Sequence, residues 1–429
     1  MSSPPSFGEA PRLDSIPRLG RRAVLIIFLV ALALRIAAAA AVGFSNLRFG
    51  DARGYLSAAR TLVTEGRYPD RTDPFHFRAP GYPVFLVAAT FGRPDRVALA
   101  KLANVLLGSL SPLVLAALSA RLFRRRRLAI ATGFVGALNP AFVLMSADVQ
   151  SEALFLLLLL CAGYLLLAAT DRPSTSLSLA SGGFLAVAAL TRPSALVLAP
   201  MLAAPFLDRR YPVRVRWHLA ASALLGFLFL LAPWTVRNAV VFRQLLPVND
   251  ATGYAFYYGN SDWIFRFYGL RTREEYDRWI AEMDRDLQRQ VRELDGAGRR
   301  SPAERSRYFF RKALSERAED PVRWAGLFLR KTWDWLRPYP RPWYWPRWVV
   351  IGVGAFYAVL TVFAAAGLLA AQRRGVALFA LAVLVISMGA HVALMVVWRY
   401  RMPYWDPILL LYGTQGAADT LTGRWRARS

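Results

Sequence analysis

Residues 18–44 read RLGRRAVLIIFLVALALRIAAAAAVGF: Arg18, Arg21 and Arg22, then an apolar run from Ala23 to Phe44 broken only by Arg35. That length matches the roughly 20 residues a helix needs to cross the hydrocarbon core of a bilayer. The basic flank places its start on the cytoplasmic side. Ala37 to Ala41 resembles a small-residue signal-cleavage site, but Arg35 interrupts the run and many apolar segments follow, so a retained first span is expected. The same signature recurs at 97–122, 128–147, 153–170, 177–190, 195–207, 217–234, 349–371, 376–397 and 407–420, making about ten spans. Of the 429 residues 55% are hydrophobic and 19% charged, against about 25% charged in soluble proteins. The expected fold class is all-α, a polytopic integral membrane protein.

The chain carries 54 Lys+Arg against 28 Asp+Glu, a net +26, and its only lysines are Lys101, Lys312 and Lys331. A nucleic-acid binder gathers such charge on one polar module. Here the most polar stretch, Asp262 to Arg323, has 15 basic and 13 acidic residues, a net +2, so +24 lies around the apolar segments. No nucleic-acid partner is expected; the arginines read as topology signals and contacts to anionic ligands. Cys161, the sole cysteine, sits in an apolar run and can form no internal disulfide.

Basic connections at Arg121 to Arg127, Asp208 to Arg216, Gln372 to Arg374 and Arg424 to Arg428 all fall inside if ten spans are threaded. The chain then divides into a cytoplasmic tail (1–22), a membrane core (23–236) containing a first outer loop (45–96), an outer helical segment (237–347), C-terminal spans (348–420) and a cytoplasmic tail (421–429). Thr272 to Glu275 and Ser301 to Glu304 fit capping boxes, and Asp320-Pro321 is a third helix start, so three outer helices are expected. In the first of these, Tyr276, Ile280, Met283, Leu287, Val291 and Leu294 form an apolar stripe expected to pack on the membrane domain or its surface. Trp333, Trp335, Trp343, Trp345 and Trp348 read as an aromatic belt at re-entry.

Phosphate loops, HExxH, paired CxxC and GxSxG motifs are absent. What remains is a set of acids and arginines at outer span ends, where an unpaired charge is costly unless a ligand meets it. The first outer loop carries Asp51-Ala-Arg53-Gly-Tyr55, then Phe77-Arg78-Ala-Pro-Gly-Tyr82-Pro83 leading into an apolar piece too short to span, expected as a juxtamembrane helix. Asp51 stands where an N-cap would stand; near a basic cluster its carboxylate can also stay ionised and accept a proton from a hydroxyl.

With these residues in view, the sequence resembles the GT-C superfamily of polyprenyl-phosphate-sugar-dependent membrane glycosyltransferases, in the branch of protein O-mannosyltransferases and aminoarabinose lipid A transferases. The resemblance rests on Asp51 with Tyr55, Arg78-Ala-Pro-Gly-Tyr82-Pro83, Asn139-Pro140 with Ser151-Glu152, Leu190-Thr-Arg192-Pro193, Pro233-Trp-Thr-Val-Arg237-Asn238, Tyr258-Gly-Asn260 and Arg399-Tyr-Arg401-Met-Pro403. It implies an inverting transferase of the bacterial inner membrane, moving a sugar from a polyprenyl-phosphate donor to a lipid, glycan or protein acceptor on the outer face. It implies Asp51 as the general base or its close partner, and Arg78, Arg192, Arg237, Arg399 and Arg401 as the grip on the donor phosphate. Tyr55, His76, Tyr82 and Asn238 would line the pocket. The first loop lacks a second acid beside Asp51, and Phe77 stands where metal-using relatives often have an acid. No cofactor follows; a divalent metal is left open. Asp148 and Glu152 are the acids available to orient an acceptor or hold a metal; His76 is a plain interfacial histidine or a contact to a metal or a sugar hydroxyl. The competing class is a lipid-linked sugar flippase or transporter, but such proteins place ionisable sites near the membrane midplane, whereas these acids fall at span ends.

Overall fold

The computed structural model describes residues 16–48, 50–70, 78–298 and 301–423, so His76 and Phe77 lie outside the described residues. Among them it is all helical. The core begins with α1 (Arg21–Val42), the short α2 (Asp51–Glu65) and α3 (Gly81–Ala89), then α4 (Val97–Phe123), α5 (Arg126–Leu138), α6 (Pro140–Ser146), α7 (Glu152–Asp171) and α8 (Thr175–Thr191). A 3₁₀ stretch, Pro193–Leu207, leads into α9 (Val213–Phe242). The polar segment contributes α10 (Ala251–Asn260), α11 (Asp262–Gly269), α12 (Arg273–Gly296), α13 (Pro302–Ala318) and α14 (Pro321–Leu336). The chain closes with α15 (Arg347–Leu369), α16 (Arg374–Ala393), a 3₁₀ turn (Trp398–Arg401) and α17 (Met402–Leu421).

All ten apolar segments are helical, but length and composition qualify only α1, α4, α7, α9, α15 and α16 as spans among the described residues, seven if α5 and α6 form one span bent by 52°. The count of ten is therefore not reached. The bend falls at Asn139-Pro140, where proline cannot continue the ladder and the Asn139 side chain caps α6 by accepting from Phe142 N at 3.0 Å. Segments 177–190 and 195–207 are short apolar helices. α17 interrupts its apolar run with the buried acids Asp406 and Asp419.

Small residues let helix backbones meet where apolar side chains gain little over lipid. A Cβ on Gly182 of α8 would fall 1.8 Å from Ala223 O of α9, and one on Gly226 of α9 2.0 Å from Leu179 O of α8. Gly367 of α15 and Gly416 of α17 repeat the device, at 2.1 Å from Tyr412 O and 2.0 Å from Phe363 O.

The three helix starts read in the polar segment are present, with both capping boxes formed and Asp320 accepting from Arg323 N at 2.9 Å. The apolar stripe of α12, however, packs on the segment's own helices. Met283 meets Leu270 and Trp279, while Leu294 meets Tyr254, Tyr257 and Phe309. Residues 251–269, which form α10 and α11, supply the cover that was expected from the membrane domain. The tryptophans divide likewise: Trp333 and Trp348 are exposed, whereas Trp335 is fully buried against His391. Arg35 neither snorkels nor meets a carboxylate among the described residues: fully buried, it donates to Ala31 O (3.0 Å) and Ala137 O (3.3 Å).

Candidate active site

α2 starts at Asp51 itself, after Gly50, and the carboxylate makes no N-cap hydrogen bond. It turns instead toward two arginines far away in sequence. Oδ1 accepts from Arg78 Nη2 at 3.0 Å, and Oδ2 accepts from Arg399 Nη2. Arg399, on the 3₁₀ turn after α16, also donates to Gln150 Oε1 at 2.8 Å and stands 3.6 Å from Glu152 Oε1. Glu152, the first residue of α7, is 1% exposed and pairs with Arg192 Nη1 at 3.0 Å. Arg192, at the end of α8, also donates to Ser151 Oγ at 3.1 Å, and Ser151 Oγ shares a 3.1 Å hydrogen bond with the Tyr55 hydroxyl.

A chain of alternating charge thus runs Arg78–Asp51–Arg399–Glu152–Arg192. Three guanidiniums face two carboxylates, 3 − 2 = +1. Burial alone would raise the Asp51 carboxyl, but Arg399 and Arg78 outweigh it and hold it well below the usual carboxylate range. Burial likewise opposes charge on Arg399, and Asp51 and Glu152 more than compensate. Aromatic rings floor the cluster: Arg78 lies 4.9 Å over Tyr55 and Arg192 4.9 Å over Tyr400.

Of the residues singled out in the sequence, Asp51, Arg78, Glu152, Arg192, Arg399 and Tyr55 converge. Tyr82 is one step behind, its ring 4.8 Å from Tyr55 and its hydroxyl accepting from Asn104 at 2.8 Å. Asp148 belongs to the scaffold: it accepts from Arg48 N and Val149 N, each at 2.8 Å, and faces Lys101 Nζ at 3.4 Å. Arg237 grips the loop before Arg78 through Tyr68 O (3.0 Å) and Pro69 O (3.3 Å) rather than Asp51. Asn238 donates to Leu246 O and Val248 O. Arg401 donates to Trp335 O, Leu336 O and Arg337 O, closing the C-terminal end of α14.

Gln150 completes the cluster unpredicted, while Ser151 and Tyr400 join it from the Ser151-Glu152 and Arg399-Tyr-Arg401 elements, in which neither was assigned a role. Asp284 of α12, which accepts from Tyr258 OH at 3.4 Å, lies within electrostatic reach of Arg78 and Asp51 and carries no motif at all. The acids among the described residues do not form a divalent-metal site. Asp51 and Glu152 are bridged by guanidiniums, Asp148 is consumed by backbone N–H groups and Lys101, and no three His, Cys, Asp or Glu side chains gather among the described residues.

A largely apolar cavity of about 480 Å³, lined by none of the five charged residues of the cluster, opens between α4, α7, α8, the Pro193–Leu207 stretch, α16 and α17. One end is Tyr404, whose hydroxyl donates to Ser194 and whose ring packs on Phe155, next to Arg192. The other end reaches Arg210 and Arg373.

The described residues form an all-helical, multi-pass membrane fold. Residues 80–236 match the family described as dolichyl-phosphate-mannose-protein mannosyltransferase. The chain superposes on the archaeal oligosaccharyltransferase AglB from Archaeoglobus fulgidus, solved with an inhibitory peptide and a dolichol-phosphate, with TM-score 0.57 and 13% identity over 95% of this chain and 51% of that one. A second structure of the Archaeoglobus fulgidus oligosaccharyltransferase, tethered to an acceptor peptide, gives 0.56 and 12% over 95% and 50%. This chain thus spans about half the length of those enzymes. ArnT from Cupriavidus metallidurans bound to undecaprenyl phosphate also matches, at TM-score 0.45 and 15% identity over 94% of this chain and 79% of that one. No curated protein matches the chain.

Proposed function

We propose that the protein is an inverting glycosyltransferase that takes a sugar from a polyprenyl-phosphate donor and passes it to an acceptor on the outer face of the bacterial inner membrane. The observation that carries this reading is the carboxylate Asp51 held between Arg78 and Arg399 in a cluster of net positive charge.

The donor phosphate competes with Asp51 for the guanidinium forks, which favour planar bidentate contacts to phosphate. Arg399, Arg78 and Arg192 then bind it, and the polyprenyl tail lies in the apolar cavity. Losing its partners, Asp51 rises in basicity as the donor loads, which couples substrate arrival to base activation. The acceptor O–H gives its proton to Asp51 while its oxygen forms the new bond to the anomeric carbon. The bond from that carbon to the phosphate oxygen breaks, and polyprenyl phosphate leaves as an anion already stabilised by the arginines, so no general acid is needed. Glu152 touches neither reactant; it is a positioning residue that sets Arg192 and Arg399.

The test uses purified protein in detergent with a labelled polyprenyl-phosphate sugar. Sugar release or transfer is expected in the wild type, with a donor KM raised by Arg78→Ala and Arg399→Ala. Donor that is bound and moved across vesicles without cleavage would instead establish the transporter reading.

A further inference from the structure

The segment between α9 and α15 ends in a wall of rings and guanidiniums that the phosphate chemistry does not use. Tyr276 of α12 packs on Trp343 and Tyr344, at 5.6 and 5.7 Å between ring centroids, and Tyr344 on Trp345 at 5.7 Å. Arg273 lies 4.3 Å over Tyr344 and Arg48 lies 4.1 Å over Trp345. All six residues are partly buried and none is fully enclosed, so each keeps a minor part of its surface open.

Its position ties it to the site. Arg48 precedes Asp51 by three residues, and its backbone N–H is fixed to Asp148, two residues before Gln150, the partner of Arg399. Tyr276 lies within electrostatic reach of both Arg399 and Asp51.

We propose that this wall is the acceptor subsite and that it receives a carbohydrate. Sugar rings present C–H faces that stack on aromatic rings and a rim of oxygens that accept hydrogen bonds from planar donors; a wall alternating rings with guanidiniums supplies both. A peptide acceptor calls for backbone donors and acceptors along an extended strand, and a lipid acceptor for a continuous apolar groove. The wall offers neither, and the apolar cavity is lined by the membrane helices instead. The inference rests on the transferase reading: the saccharide hydroxyl presented beneath the wall is the one that loses its proton to Asp51.

Membranes lacking this protein are separated into a protease-treated saccharide fraction, a protein fraction and a lipid extract, and each is offered with labelled donor to the purified full chain. Label is expected in the saccharide fraction. Tyr276→Ala and Trp345→Ala are expected to raise the saccharide needed for half-saturation by roughly tenfold without moving donor half-saturation, and Trp345→Phe to recover most of that loss. Gel filtration of each variant identifies any that misfold, for which Tyr276→Phe and Trp345→Phe carry the comparison. Label in protease-sensitive protein or in sugar-free lipid overturns the proposal, as does an alanine variant with wild-type acceptor half-saturation. A wild type that consumes no donor overturns the transferase reading first, and this inference with it.

Discussion

Asp51→Asn separates the two roles assigned to one carboxylate. Asparagine keeps the shape but removes the negative charge that occupies Arg78 and Arg399, so the cluster changes from 3 − 2 = +1 to 3 − 1 = +2. One unit charge at roughly 6 Å from a bound phosphate and an effective dielectric of about 20 is worth about 3 kcal/mol. Asp51 is 30% exposed, and screening on that scale reduces the gain to about 1.4 kcal/mol, a tenfold tighter hold on an anionic lipid. Loss of a general base should meanwhile slow turnover by about 10²- to 10⁴-fold. The assay pairs polyprenyl-phosphate binding, by competition with a fluorescent analogue, with single-turnover transfer in detergent. Tighter binding with slower chemistry is expected. Weaker binding would refute the claim that carboxylate and phosphate compete for the same arginines, and unchanged turnover would remove Asp51 from proton transfer.

Glu152→Gln should raise donor KM by roughly tenfold while perturbing turnover less, because it loosens Arg192 and Arg399 without touching the reacting atoms; steady-state donor saturation reads this, and an unchanged KM rejects its positioning role. Asp51, with its folded pKa below the unfolded value of about 3.9, contributes stability that is complete above that pH and is lost as pH falls below it. Thermal unfolding from pH 6 to pH 3 should therefore fall more steeply in the wild type than in Asp51→Asn. Lys331, buried against Gly259 O, Asn260 Oδ1 and Leu394 O, has its pKa pushed down to about 7 by burial. Between that value and about 10.4 the unfolded chain binds the extra proton, so stability should rise with pH across this window and be flat in Lys331→Met. Gly226→Leu should cost about 1–3 kcal/mol or more by driving α8 from α9, read as a lower unfolding temperature.

The sequence made the capped helices legible because their signals are local: Thr272 with Glu275, Ser301 with Glu304, and Pro321 after Asp320 each act within one turn. Asp51, Arg78, Glu152, Arg192 and Arg399 were legible as charges that a membrane boundary tolerates only with partners. Their pairing was not, since Asp51 and Arg399 are 348 residues apart and nothing periodic links them. Gln150 escaped notice, and Ser151 was given no role, as neutral residues whose value depends on what stands opposite. Arg237 and Arg401 looked like further phosphate ligands because a guanidinium suits a backbone carbonyl as well as a phosphate oxygen. The span count fell short because α8 and the proline-bearing 3₁₀ stretch are short, and α17 buries acids that only tertiary contacts can satisfy.

The turn Trp398–Arg401 is four residues long, yet it holds two separate bodies. Arg399 clasps Asp51, and Arg401 clasps the last carbonyls of α14. A tilt of α14 must therefore either tear three hydrogen bonds or drag the Asp51 partner with it. The appended helices are in this way yoked to the Asp51 carboxylate, and whatever settles on them is felt at Arg399, two residues along the turn from Arg401.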